Sequence, residues 1–266
     1  MPRLGFIRLL AASLMVLIAT PAAAEPEEIQ IYMDEMNAPG DVGLDTHVNY
    51  AATGTWSPDY PGQQSSLHRL RITPEFSYGL TSRLEAGLYL PLATVDAQGR
   101  LGVYGIKGRL KYLVAGDAAG RWWYGANLEI GHVARALDIN PWNAELKGIV
   151  GTRRGRWTLA ANVNLDAVVS GPVHAPVSVD VDSRIAYAVT RKLTLGLESY
   201  NGMGDLKALG HLGQSEQTLF LTMDHPIGRW DLNLGIGRGY AANPDRLIVK
   251  AIIGVPIDRL FAGRRS

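Results

Sequence analysis

Along most of this chain apolar and polar residues alternate with period two, the pattern of strands with one face toward an apolar phase and the other toward water. Leu84, Ala86, Leu88, Leu90 and Leu92 oppose Arg83, Glu85 and Tyr89. Trp122, Tyr124, Ala126, Leu128 and Ile130 oppose Asn127 and Glu129, and Trp157, Leu159, Ala161 and Val163 oppose Thr158, Asn162, Asn164 and Asp166. The alternation predicts about twelve strands, each near the ten residues that a tilted strand needs to cross a bilayer. They fall at 44–52, 68–78, 83–92, 101–114, 121–132, 142–152, 156–169, 177–189, 192–200, 216–225, 229–237 and 246–257. The run at 216–225 is the least regular, because Phe220 lies in phase with the polar positions.

The connections alternate as well. Residues 54–66, 93–99, 133–141, 170–176, 201–214 and 240–245 form longer links, and 79–82, 115–120, 153–155, 190–191 and 226–228 form tight ones. One end of the sheet is trimmed and the other elaborated, as in barrels with short periplasmic turns and longer external loops. The phrase Gly-Arg-Trp recurs at 120–122, 155–157 and 228–230, always at the trimmed end. Glycine takes the turn, arginine sits in water, and Trp122, Trp157 and Trp230 suit the belt where water meets hydrocarbon. A soluble sandwich buries its apolar face against a second sheet and needs no such tryptophans. The predicted fold is all-β: a transmembrane antiparallel up-and-down β-barrel of about twelve strands.

The first residues add an export signal. Arg3 and Arg8 precede an apolar run from Leu9 to Thr20 and small residues up to Ala24, the layout of a cleaved signal peptide. The expected organisation is a signal peptide at 1–24, a periplasmic lead-in segment at 25–43, the barrel at 44–257 and a periplasmic tail at 258–266. In the lead-in, Ile29, Ile31 and Met33 alternate. The net charge of +1 becomes −1 once Arg3 and Arg8 are removed, so no basic excess points to nucleic acid. The chain has no cysteine, which excludes disulfides and thiolate metal sites. After Thr20 no apolar run approaches the ~18 residues of a membrane helix.

With apolar faces toward lipid, the polar faces line a lumen. Its candidate lining is Arg69, Arg71, Glu75, Arg83, Glu85, Lys107, Arg109, Lys111, Glu129, Asp166, Asp180, Asp182, Arg184 and Glu198, with Glu145, Lys147, Asp231 and Lys250 in the same phase. Basic residues crowd the second to fourth predicted strands and acidic ones the seventh and eighth. Such walls steer ions and polar solutes. The same charges can instead pair across neighbouring strands and fill a closed barrel.

Two stretches resemble a known family. They are Glu28-Ile29-Gln30-Ile31-Tyr32 through Tyr50, and Thr73-Pro74-Glu75-Phe76-Ser77-Tyr78-Gly79-Leu80-Thr81-Ser82-Arg83-Leu84-Glu85-Ala86-Gly87-Leu88. Both are similar to proteobacterial outer-membrane β-barrel proteins related to the MetA-pathway of phenol degradation family. The resemblance is strongest over residues 28–92. It implies a Gram-negative outer-membrane barrel that takes up a small polar or aromatic solute, meets outer-membrane lipid and is inserted by the outer-membrane assembly machinery. Many such barrels end on an aromatic residue, whereas here Phe261 is followed by further residues.

Little points to catalysis. None of the six histidines (His47, His68, His132, His174, His211, His225) has HxH or HExxH spacing, and no metal or cofactor is expected. Ser65, Ser66, His68 and Glu75 supply the residue types of a lipid hydrolase near one loop, without a Gly-x-Ser-x-Gly elbow. Gly235-Ile236-Gly237-Arg238-Gly239 lacks the helix and lysine of a phosphate loop and reads as close packing. The expected function is passive transport through a polar lumen, by a protein that is not an enzyme. The alternative is a structural barrel with a closed, charge-paired interior, and a membrane-embedded hydrolase ranks third.

Overall fold

The computed structural model describes residues 28–116, 121–210 and 213–257. The expected signal peptide, the tail at 258–266, Gly120 and His211 lie outside the described residues. Among the described residues, fifteen strands form one antiparallel sheet: β1 (Val42–Thr53), β2 (Leu70–Gly79), β3 (Leu84–Tyr89), β4 (Ala93–Val95), β5 (Leu101–Val103), β6 (Gly105–Ala115), β7 (Trp122–Val133), β8 (Trp142–Arg154), β9 (Trp157–Ser170), β10 (Ser178–Ala188), β11 (Thr194–Asp205), β12 (Ala208–Leu209), β13 (Glu216–Asp224), β14 (Asp231–Ala241) and β15 (Leu247–Pro256). β1 pairs with β2 on one side and with β15 on the other, from Gly43 opposite Pro256 to Thr53 opposite Leu247. The sheet thereby closes, the condition for crossing hydrocarbon with strands; among the described residues only the short β5 and β12 pair on one side alone.

The barrel has 12 staves. β4 continues the β3 stave along β2, β5 continues the β6 stave along β4, and β12 is a short flap on β11. Pro91 interrupts the third stave because it offers no N–H to the ladder. The alternation slips there. Leu88 and Leu90 are exposed on the outside, whereas Leu92, expected on the same face, is buried and lies beside Gly105.

Leu110, Tyr112, Leu128, Ile130, Leu146, Val150, Leu197, Leu221, Ile236 and Val249 all stand exposed on the outer face. Keeping ten such side chains in water instead of an apolar phase would forgo on the order of 10 kcal/mol, comparable to the whole stability of a domain. Hydrocarbon removes that cost. Trp122, Trp157 and Trp230 are also exposed and sit at the short-turn end. Gly155 and Gly228 take positive φ values of 60° and 66° in two of those turns, where a side chain would be strained. Arg154 lies over the Trp122 ring and Trp157 packs on Tyr187, so the belt is braced by its basic neighbours.

The lead-in segment departs from expectation. Of its described residues, 28–41 form no strand, Val42 and Gly43 already belong to β1, and Ile29, Ile31 and Tyr32 pack inside the barrel. These three side chains are buried, and the segment packs on inward side chains of β6 to β9, β11, β13 and β15. The reason is that the wall offers it apolar partners. Leu113, Trp123, Ile149 and Ala160 sit on the inward phase of β6, β7, β8 and β9 and enclose Ile31, Met33 and Met36. Phe220 and Ile248 do the same for Ile29. The inward Phe220 that made its run irregular is therefore part of a socket.

Candidate functional site

The lumen is the site, and the lead-in segment is half of it. The segment enters at the short-turn end, where Gly40 N–H donates to Gly79 O at 2.8 Å. Farther in, wall side chains take the place of a neighbouring strand. Asn37 N–H donates to Glu85 at 2.7 Å, Lys111 Nζ to Glu35 O at 2.8 Å, and Lys250 Nζ to Ile29 O at 2.9 Å. Asn162 brackets Tyr32, its Oδ1 accepting from the backbone N–H at 2.7 Å and its Nδ2 donating to the carbonyl at 3.0 Å. The Tyr32 hydroxyl meets that of Tyr89 at 2.7 Å and donates to Glu129 at 3.1 Å. Near the entrance Asp34 pairs with Arg153.

Charges expected to line the lumen form chains of ion pairs. Arg109 joins Glu75 and, at 2.8 Å, Glu85, which Lys111 also meets at 3.1 Å. Lys107 meets Glu129 at 3.0 Å. On the far wall Arg184 binds Glu198 at 2.7 Å and also Asp224, and Lys250 completes the group on Glu198. Lys147 meets Glu145 at 3.1 Å and Asn164 donates to Asp182 at 2.7 Å, while Asp166 and Asp180 lie on the paired strands β9 and β10. The two predicted walls thus interleave cations with carboxylates. Arg69 and Arg71 are buried near the long-loop end, and Arg69 donates to Gln64 O at 3.3 Å. Arg83 is exposed in the turn after β2, outside these chains, because the strand begins only at Leu84. Asp231 is also exposed, at the start of β14.

The long loops narrow the other mouth. The loop between β1 and β2 reaches the loop between β7 and β8: Gln64 N–H donates to Ala136 O at 2.8 Å and Arg135 Nε to Pro61 O at 3.2 Å. Thr94 and Asp245 hold the same loop from below through Gln64 and Ser66. The residue types of a hydrolase are not gathered. Ser65 donates to Thr55 O, Ser66 to Asp245, His68 meets Tyr50, and Glu75 is engaged with His47 and Arg109. The glycines of β14 are packing devices, since a Cβ on Gly237 would overlap the Phe220 ring.

Sequence reasoning missed Asn162 as an anchor and Leu113, Trp123, Ile149 and Ile248 as socket. The available signal was phase: these are apolar residues on strand faces otherwise polar.

No protein-family model matches the chain, and no curated protein sequence matches it. Solved structures do resemble it. An outer membrane channel from Pseudomonas putida F1 superposes with a TM-score of 0.56 at 15% identity, covering 86% of this chain and 99% of that one. The KdgM porin, solved in complex with disordered oligogalacturonate, gives 0.52 at 7% identity, covering 80% and 98%. At these identities the likeness is one of fold. The closed sheet, the outward apolar band and this likeness agree that the chain folds as a transmembrane β-barrel of the outer-membrane type.

Proposed function

We propose that the protein is a channel for passive uptake of a small polar solute, and that residues 28–37 are its removable plug. The observation that carries this reading is the way the segment is held. Its backbone is bound by single side chains of Asn162, Lys111 and Lys250 and not by a strand ladder. Withdrawing it toward the periplasm breaks a limited set of contacts and leaves the 12-stave wall intact. The exposed face of the lumen is then the interleaved charge pattern, which suits a charged or hydrogen-bonding solute. The KdgM porin's bound oligogalacturonate supports an anionic sugar as the first solute to try. The resemblance over residues 28–92 to barrels related to the MetA-pathway of phenol degradation family makes an aromatic compound the second.

The ion-pair chains favour a second reading, a permanently closed structural barrel. Liposome swelling separates the two. Vesicles carrying the chain without residues 25–37 swell in a small sugar if the lumen is a conduit, and vesicles that stay sealed overturn the channel reading.

A further inference from the structure

Glu28, His47 and Glu75 converge where the inner end of the plug meets the wall. One donor atom from each lies within 4.8 Å of the others, and all three residues are buried. Glu75 is fixed in place, with Oε1 held by Arg109 and Oε2 facing His47 Nε2 at 3.2 Å. Glu28 is different. It is 8% exposed, and both its oxygens are out of water without a hydrogen-bond partner, as is Nδ1 of His47. Lys147, a cationic side chain that acts on it, is drawn to Glu145 at 3.1 Å, while Glu129 adds a further negative charge. A desolvated carboxylate without partners is costly to bury, and a cation relieves it.

We propose that Glu28, His47 and Glu75 bind one first-row divalent cation, with zinc as the representative ion, and that this cation pins the plug to the wall. One imidazole and two carboxylates are the donors that such ions take. Ligands around one tetrahedral ion lie roughly 3–4 Å apart, so the three donors close on it with a shift of about an ångström. Glu28 is outside the strands and can supply that shift. The site does not depend on whether solutes pass through the barrel.

Equilibrium dialysis of the refolded chain starting at Glu25 against zinc(II) alone tests the site. One equivalent of zinc is expected, with affinity falling about tenfold or more in Glu28→Gln and His47→Gln and unchanged in His174→Ala, which alters an exposed loop histidine. Heat-modifiable gel mobility reports whether each barrel has folded. Glu28→Gln leaves every strand untouched, so it decides the matter even if His47→Gln fails to fold. Less than stoichiometric zinc on the folded wild-type chain, or undiminished binding by Glu28→Gln, would overturn the proposal.

Discussion

Asn162 holds Tyr32 by both backbone groups, accepting from the N–H at 2.7 Å and donating to the carbonyl at 3.0 Å across 130 positions of sequence. One side chain on β9 thereby does for the plug what a neighbouring strand would do. Asn162→Ala leaves a buried donor and acceptor unsatisfied, at roughly 1–3 kcal/mol for each group. The expected result is faster amide exchange at Tyr32 by tenfold or more, with wall amides unaffected. Exchange at Tyr32 equal to wild type would mean the bracket contributes nothing.

Arg109 is the hub of its wall. It binds Glu75 and Glu85, and all three side chains are at most 3% exposed. Arg109→Gln removes the guanidinium that two buried carboxylates share, leaving Glu75 with His47 and Glu85 with Lys111, so a loss of about 3 kcal/mol is expected. The urea midpoint of the barrel in detergent measures it, and a loss below 1 kcal/mol would place the pair in effectively aqueous surroundings.

Gly151 lies against the buried indole of Trp123, and a Cβ there would overlap the ring. Gly151→Ala is expected to destabilise the barrel by about 1–3 kcal/mol, as over-packing does. Adding Trp123→Ala should remove most of that increment, which a double-mutant cycle on urea midpoints reads directly. Additive effects would show that the two residues are not in contact.

Trp122 and Trp123 test the phase of β7. Trp122 is exposed on the lipid side and Trp123 is 2% exposed inside. In single-tryptophan variants, brominated lipid should quench Trp122, Trp157 and Trp230 strongly and Trp123 weakly. Equal quenching of the adjacent pair would contradict the inward placement of Trp123.

These adjacent tryptophans also show where the sequence was legible. Trp122 sits in phase with Tyr124, Leu128 and Ile130, and period-two alternation assigns that face to lipid. Gly155 and Gly228 mark turns by local backbone need. Both signals act over a few residues. The plug is governed by contacts between residues far apart, such as Lys250 with Ile29, so local pattern could make residues 28–37 only a lead-in. The lumen charges were visible by phase, but their partners depend on which staves adjoin. Glu28, His47 and Glu75 come from three separate stretches with no shared spacing; the pairing of β1 with β2 brings His47 to Glu75, and the plug lying in the lumen brings Glu28.

The single-channel current of the whole chain, set beside that of the chain lacking residues 25–37, tests the central claim that this segment closes the lumen. The whole chain should show long closed periods with brief openings, and the shortened chain a steady conductance several-fold larger. Equal conductances, or a sealed bilayer with the shortened chain, would contradict it.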